Sequence, residues 1–173
     1  MATRFILLVS LFGLFSLNIQ AQNSVSLNVN LYPIQSIVIN PNQQDIVLNY
    51  ITKEDYDKGV QSEQTDHLTI YSTGGFQIRV NSIVNSSKNP PLNSLSIAPS
   101  PGSKPITKSN VSYVAKSLSE VEQSIITSTT GGIDKNFNIS YKGSGNNMYV
   151  EYYDSSTTPK NYTYNIVYTI VSH

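Results

Sequence analysis

Between residues 24 and 31 the chain alternates without a break. Val25, Leu27, Val29 and Leu31 fall on one parity, and Ser24, Ser26, Asn28 and Asn30 on the other. Successive side chains of an extended chain point to opposite faces, so this pattern predicts a strand with one buried face. Pro33 ends it. Ile34–Ile39 is dense in β-branched residues and predicts a second strand, closed by the turn around Pro41. Asp45–Ile51 then places Ile46, Leu48 and Tyr50 on one side. The same period of two recurs at 67–72, 76–84, 136–141, 148–153 and 162–170, between turns rich in Gly, Pro, Asn and Ser. Val111–Val114 is a further candidate strand, and Leu118–Thr127 fits strand or helix equally.

One stretch carries a helical signature. Thr52 as a cap, Asp55 three residues on and Gly59 as a stop predict one short helical turn near residues 53–58. From Asn85 to Lys108 the texture changes, because five of the eight prolines lie there. Proline has no N–H to give a ladder, so the stretch predicts an irregular excursion with one short strand at Leu95–Ala98. Strands of this length with so little helix predict an all-β fold, an antiparallel Ig-like β-sandwich, in one domain over residues 22–173. The final strand would be central or part of a hairpin, with Tyr162, Tyr164, Ile166, Tyr168 and Ile170 facing the core. Residues 148–153 would pair with it, so that tyrosines such as Tyr149 and Tyr153 stand across from others.

The first 21 residues predict an export signal. Arg4 precedes the apolar run Phe5–Leu17, and Ala21 supplies a small residue for cleavage before Gln22. The run is shorter than the ~20 apolar residues that a spanning helix needs, and no later stretch could span a membrane. The expected location is outside the cytoplasm: cell surface, periplasm or extracellular space. Eleven Lys and Arg, Arg4 among them, balance eleven Asp and Glu. They are scattered, which argues against nucleic acid as a partner. Cysteine is absent. That excludes disulfides, thiol chemistry and lipidation through cysteine, so retention on the cell would be non-covalent.

The search for chemistry yields little. The two histidines are His67 and His173, no nucleophile elbow is present, and no spacing suits zinc. His67 reads as a surface residue at the start of a strand. Glu54, Asp55 and Asp57 could suggest calcium, but carboxylates in a first helical turn are explained by the helix dipole. A carboxylate pair for glycoside hydrolysis cannot be picked out. The expectation is a protein without enzymatic activity, cofactor or metal.

Two stretches resemble known bacterial surface domains. Residues 66–80, DHLTIYSTGGFQIRV, resemble the segment of WxL domains in which a strand, a glycine turn and a Trp-x-Leu/Val motif follow one another, with Gly75, Phe76 and Ile78 at the motif. Residues 162–170, YTYNIVYTI, resemble the closing motif, with Tyr162 preceding Tyr168 and Ile170. Phe76 and Tyr168 stand where the family has tryptophan. The resemblance implies an exported β-rich domain that binds peptidoglycan or another envelope polysaccharide. The alternating start also resembles fimbrial subunits, in which such a segment completes the sheet of the next subunit. Val25, Leu27, Val29 and Leu31 are thus either the first strand of their own sandwich, as their direct run into the next strand favours, or a donated strand. The leading expectation is a cell-surface or extracellular binding or adhesion module. The alternative is a structural subunit of a surface fibre that pairs with itself through residues 24–31.

Overall fold

The computed structural model describes residues 22–84, 89–153 and 159–173. The predicted signal segment and the turn after Tyr153 lie outside them. Among the described residues nine strands form two antiparallel sheets packed face to face. The five-stranded sheet has the order β1-β2-β8-β4-β6 and the four-stranded sheet β5-β7-β3-β9. The strands are β1 (Gln35–Ile39), β2 (Val60–Ser72), β3 (Phe76–Val84), β4 (Leu95–Pro101), β5 (Val111–Tyr113), β6 (Lys116–Ser117), β7 (Gln123–Ser128), β8 (Gly132–Gly143) and β9 (Tyr164–Ser172). The one α-helix among the described residues, α1, is Lys53–Lys58. This is the sandwich that the alternation predicts.

Its core forms where the inner faces meet. Leu68 and Ile70 of β2, Phe137 and Ile139 of β8 and Ile97 of β4 pack against Phe76, Ile78 and Val80 of β3 and Ile126 of β7. The Phe76 and Phe137 rings meet edge to face, 6.3 Å apart. Three register shifts interrupt the ladders, at Gln64/Leu68 and Ile70/Ser72 on β2 and at Ile78/Arg79 on β3, and two of them alter what is buried. Between Gln64 and Leu68 the register on β8 shifts, Asp66 takes φ +50°, and His67 turns inward beside Leu68. A shift between β3 and β7 likewise buries both Ile125 and Ile126. β2 gains two residues and regains its parity at Leu68, whereas in β7 the one extra residue rotates everything beyond it by one face. This is why residues 118–127 fit neither period cleanly.

The proline-rich stretch is more regular than its composition predicts. β4 is an inner strand, paired with β8 along its whole length and with β6 only at Ser96 and Ile97. Leu118 donates its N–H to the Leu95 carbonyl, whereas Gly102 donates to Asn136 on β8. Odd-numbered residues of β4 therefore direct their backbone groups toward the β6 side. Pro99 and Pro101 are both odd and stand beyond the end of β6, so their missing N–H groups cost β8 no bond.

α1 is built as its sequence indicates. Asp55 accepts from the Thr52 N–H at 2.6 Å and the Ile51 N–H at 2.9 Å, and Thr52 Oγ1 accepts from the Asp55 N–H at 3.2 Å. The helix stops at Gly59, whose φ is +83°; a side chain there would meet the Gly143 carbonyl at 2.3 Å. The next loop seals the helix end. Asn146 and Asn147 donate their N–H groups to the Asp57 and Tyr56 carbonyls, both at 2.7 Å, and both take left-handed φ, 52° and 55°. That clasp bends the chain onto α1 and away from β8. Residues 148–153, expected as a hairpin strand, instead form a turn and a 3-10 turn, Val150–Tyr152. Tyr149 packs on Tyr50 at 4.8 Å, and Tyr152 on Tyr162 at 6.2 Å.

Residues 45–51 keep the predicted parity, with Ile46, Leu48 and Tyr50 half-buried, but enter no ladder. The largest departure is at the start. Residues 22–34 contain no strand; the first is β1. The expectation that Val25–Leu31 forms the first strand of its own sandwich is corrected. Alternation records that one face is suited to burial, and it does not say which sheet would bury it.

Candidate functional site

β9 lies at the edge of its sheet, neither central nor in a hairpin, and this changes what it can do. It pairs with β3 over nine consecutive residues, from Phe76 with Ser172 to Val84 with Tyr164, without a shift. His173 donates its N–H to the Gly75 carbonyl, while Ser82 of β3 donates in the other direction, to Ser119. Backbone groups alternate in direction along a strand. The odd-numbered residues of β9 therefore bond to β3. The N–H and C=O groups of Tyr164, Ile166, Tyr168 and Ile170 point to the open side, where no described strand pairs with them.

Exposed edges are normally blunted by charge, proline, a bulge or brevity. The edge strands β5 and β6 are three and two residues long, and β1 is five. β9 is nine residues long, with no charge, no proline and no bulge. β1, the edge of the other sheet, runs beside it: the Gly75 carbonyl that receives His173 also receives the Gln35 side-chain amide at 3.5 Å.

The inner face of β9 is anchored. Ile166, Tyr168 and Ile170 pack on the core, and Tyr164 donates its hydroxyl to the Pro90 carbonyl at 2.8 Å. Tyr168 ends a buried polar chain whose hydrogens can be placed. Gln43 donates its amide to the Thr65 carbonyl at 2.9 Å, so its oxygen faces His67 Nδ1 at 3.0 Å and must accept from it. Nε2 is then the acceptor for the Tyr141 hydroxyl at 2.8 Å, and the Tyr141 oxygen accepts from Tyr168 at 2.6 Å. Every member is satisfied without charge. Burial alone pushes the His67 imidazole down to about 4. It likewise holds the Tyr141 phenol up at about 12 and raises Tyr168 further. His67, expected on the surface, is 2% exposed because of the bulge.

The segment 22–31 is the complement. Val25, Leu27, Val29 and Leu31 are 93%, 87%, 72% and 89% exposed, and the chain divides after Leu31 into separate units. Four aliphatic side chains on one face, all open to water, form a strand pattern without a sheet. The resemblance-based positions fall elsewhere. Gly75, Phe76 and Ile78 open β3, and Tyr168 and Ile170 lie on β9, with Ile78 directly opposite Ile170 and Val80 opposite Tyr168. The two motif-like stretches are thus neighbouring strands. Phe76 and Ile78 are fully buried, and Tyr162 stands just before β9, donating its hydroxyl to the Tyr152 carbonyl.

The chain matches no protein-family model, and no curated protein matches it. Its chemistry must be read from its own groups. Among the described residues no three His, Asp or Glu side chains gather where they could hold a metal ion, and no helix is long and apolar enough to cross a membrane. Asp55 is occupied by backbone N–H groups, and Glu54 pairs with Lys58 at 2.5 Å. An open ladder of backbone donors and acceptors can do one thing well: receive a strand. Neither the position of β9 at an edge nor the buried chain behind it was readable from residue order, because both depend on which strands become neighbours.

Proposed function

We propose that this is an exported, non-enzymatic surface or extracellular protein whose copies join by strand addition, residues 24–31 of one copy pairing with the open edge of β9 in the next. The observation that carries this is the nine-residue uncharged edge of β9, left open while an alternating apolar segment of the same chain stays outside both sheets. The two patterns are complementary. β9 presents Tyr164, Ile166, Tyr168 and Ile170 inward and Asn165, Val167 and Thr169 outward. A strand laid beside it would continue the inner face with Val25, Leu27, Val29 and Leu31 and the outer face with Ser and Asn. Main-chain bonds would supply affinity and the alternate side chains register.

The test is light scattering on a sizing column, with the chain from Gln22 compared with one from Tyr32. The longer chain is expected to give a ladder of oligomers. The shorter one should be a monomer with an unchanged melting transition, since both sheets lie within Tyr32–His173. Burying one such side chain is worth roughly 1.5–3 kcal/mol, and each 1.4 kcal/mol is tenfold in affinity. Leu27→Lys with Val29→Lys should therefore weaken association by about 100-fold or more. Two monomers of equal stability would sink the proposal. Attachment to peptidoglycan or another envelope polysaccharide is compatible with this assembly and would use a different part of the molecule.

A further inference from the structure

On the outer face of the five-stranded sheet, at its β6 end, lies a cleft of about 340 Å³. Its floor is a row across three strands: Ser117, Ser96 and Lys142 are directly paired neighbours on β6, β4 and β8. Asn93, Asp57 at the end of α1 and Asn146 in the loop after β8 also line it. Lys58 lines the cleft too, its ammonium paired with Glu54; two hydroxyls, two amides, a second ammonium and a carboxylate converge beside it. Among the described residues none of these six side chains is hydrogen-bonded to another protein group.

The walls are the opposite case. Ser94, 3% exposed, is a hub. Its carbonyl accepts from the Ser144 N–H at 2.9 Å and the Ser144 hydroxyl at 2.7 Å. Its own hydroxyl donates to the Pro91 carbonyl at 2.6 Å, and the Tyr149 hydroxyl lies 2.8–3.0 Å from both Ser94 oxygens. Tyr50, stacked edge-on against Tyr149, bonds the Ser144 carbonyl at 2.8 Å. Asn146 takes a left-handed conformation, which asparagine tolerates better than most residues, and its N–H bond to the Asp57 carbonyl at 2.7 Å fixes it there. A rigid, fully bonded frame therefore presents a set of unengaged polar groups, which is how a site for a polar ligand is preorganised.

We infer that this cleft binds carbohydrate, a short stretch of a hydroxyl-rich glycan chain. The lining is nearly all polar, which disfavours lipids and apolar peptides. With Lys58 neutralised by Glu54, the lining's remaining charges are one carboxylate, Asp57, and one ammonium, Lys142, a balance that disfavours phosphate and nucleotides. Interleaved donors and acceptors match the vicinal hydroxyls and acetamido groups of sugars. The site is separate from the β9 edge, so it stands or falls independently of assembly.

The experiment is amide chemical-shift mapping on the chain from Tyr32, titrated with the tetramer of N-acetylglucosamine and with maltotetraose. Saturable shifts confined to residues 93–96, 117 and 142–146 are expected with at least one of them, at millimolar affinity. Lys142→Ala should weaken binding at least fivefold. Asn146→Gly should do so too while leaving stability equal or higher, because it removes a side chain from a left-handed position. Shifts scattered over the surface, no shifts with either sugar, or equal binding by both variants would overturn the assignment.

Discussion

At the residue scale, two tyrosines show how much a buried hydroxyl depends on its partner. Tyr113 carries a buried hydroxyl without a hydrogen-bond partner among the described residues, whereas the Tyr141 hydroxyl links His67 to Tyr168. Tyr113→Phe should leave stability unchanged or raise it by about 1 kcal/mol, and Tyr141→Phe should lower it by roughly 1–3 kcal/mol by stranding two groups. Chemical denaturation of both variants measures the contrast; equal effects would refute it. His67 gives a pH dependence with a defined sign. Its imidazole titrates near 6.5 when unfolded and near 4 when folded. Between those values the unfolded chain holds the extra proton, so stability is complete above the upper one and falls as pH drops toward the lower. At about 1.4 kcal/mol per pKa unit the loss is at most roughly 3.5 kcal/mol. Urea midpoints from pH 7.5 to 4.5 should show it, and His67→Gln should flatten the slope. The held-down carboxylates of Asp55, bonded by Thr52 and Ile51, and Asp66, bonded by Ser103, contribute stability that is lost only further into acid. An unaltered slope in the variant would mean that other groups set it. In sequence His67 looked like any polar residue entering a strand; only the bulge, which parity cannot reveal, sends it inward.

At the scale of elements, the reading of the chain succeeded where a local signal suffices. The capping box of α1 and the alternation of β3, β8 and β9 depend on residues a few positions apart. It failed where a distant partner decides. The first half of β2 is too polar to stand out, yet it pairs with β8 from Val60 to Gln64. Residues 148–153 alternate like a strand but follow the Asn146–Asn147 clasp onto α1. β9 was recognised as a core strand, and its inner face is indeed packed. Removing residues 162–173 would expose Phe76, Ile78 and Val80 along the adjoining edge of β3. The expected result is loss of the sharp thermal transition, followed by calorimetry; a truncated chain that still melts cooperatively would show that β9 is dispensable to the fold.

At the scale of the molecule, the sandwich was readable because periods, turns and composition all agree. The candidate site was readable in halves. The donor pattern of Val25–Leu31 is written plainly in the sequence, but the receiving edge emerges only when β9 is seen to have one neighbour. The cleft was invisible for a similar reason: Ser96, Ser117 and Lys142 are far apart in sequence and meet only through the register of three strands. Pro99 and Pro101 bear on the rest of the surface. Spaced two apart, they leave the side of β4 beyond β6 without the amides that a visiting strand would need. The β6 end of the five-stranded sheet thus refuses a strand where the β9 edge of the other sheet can accept one. Copies joined through residues 24–31 would add in single file, each with the same orientation. Such a filament would be unbranched and polar, with a free β9 at one tip and a free amino-terminal segment at the other.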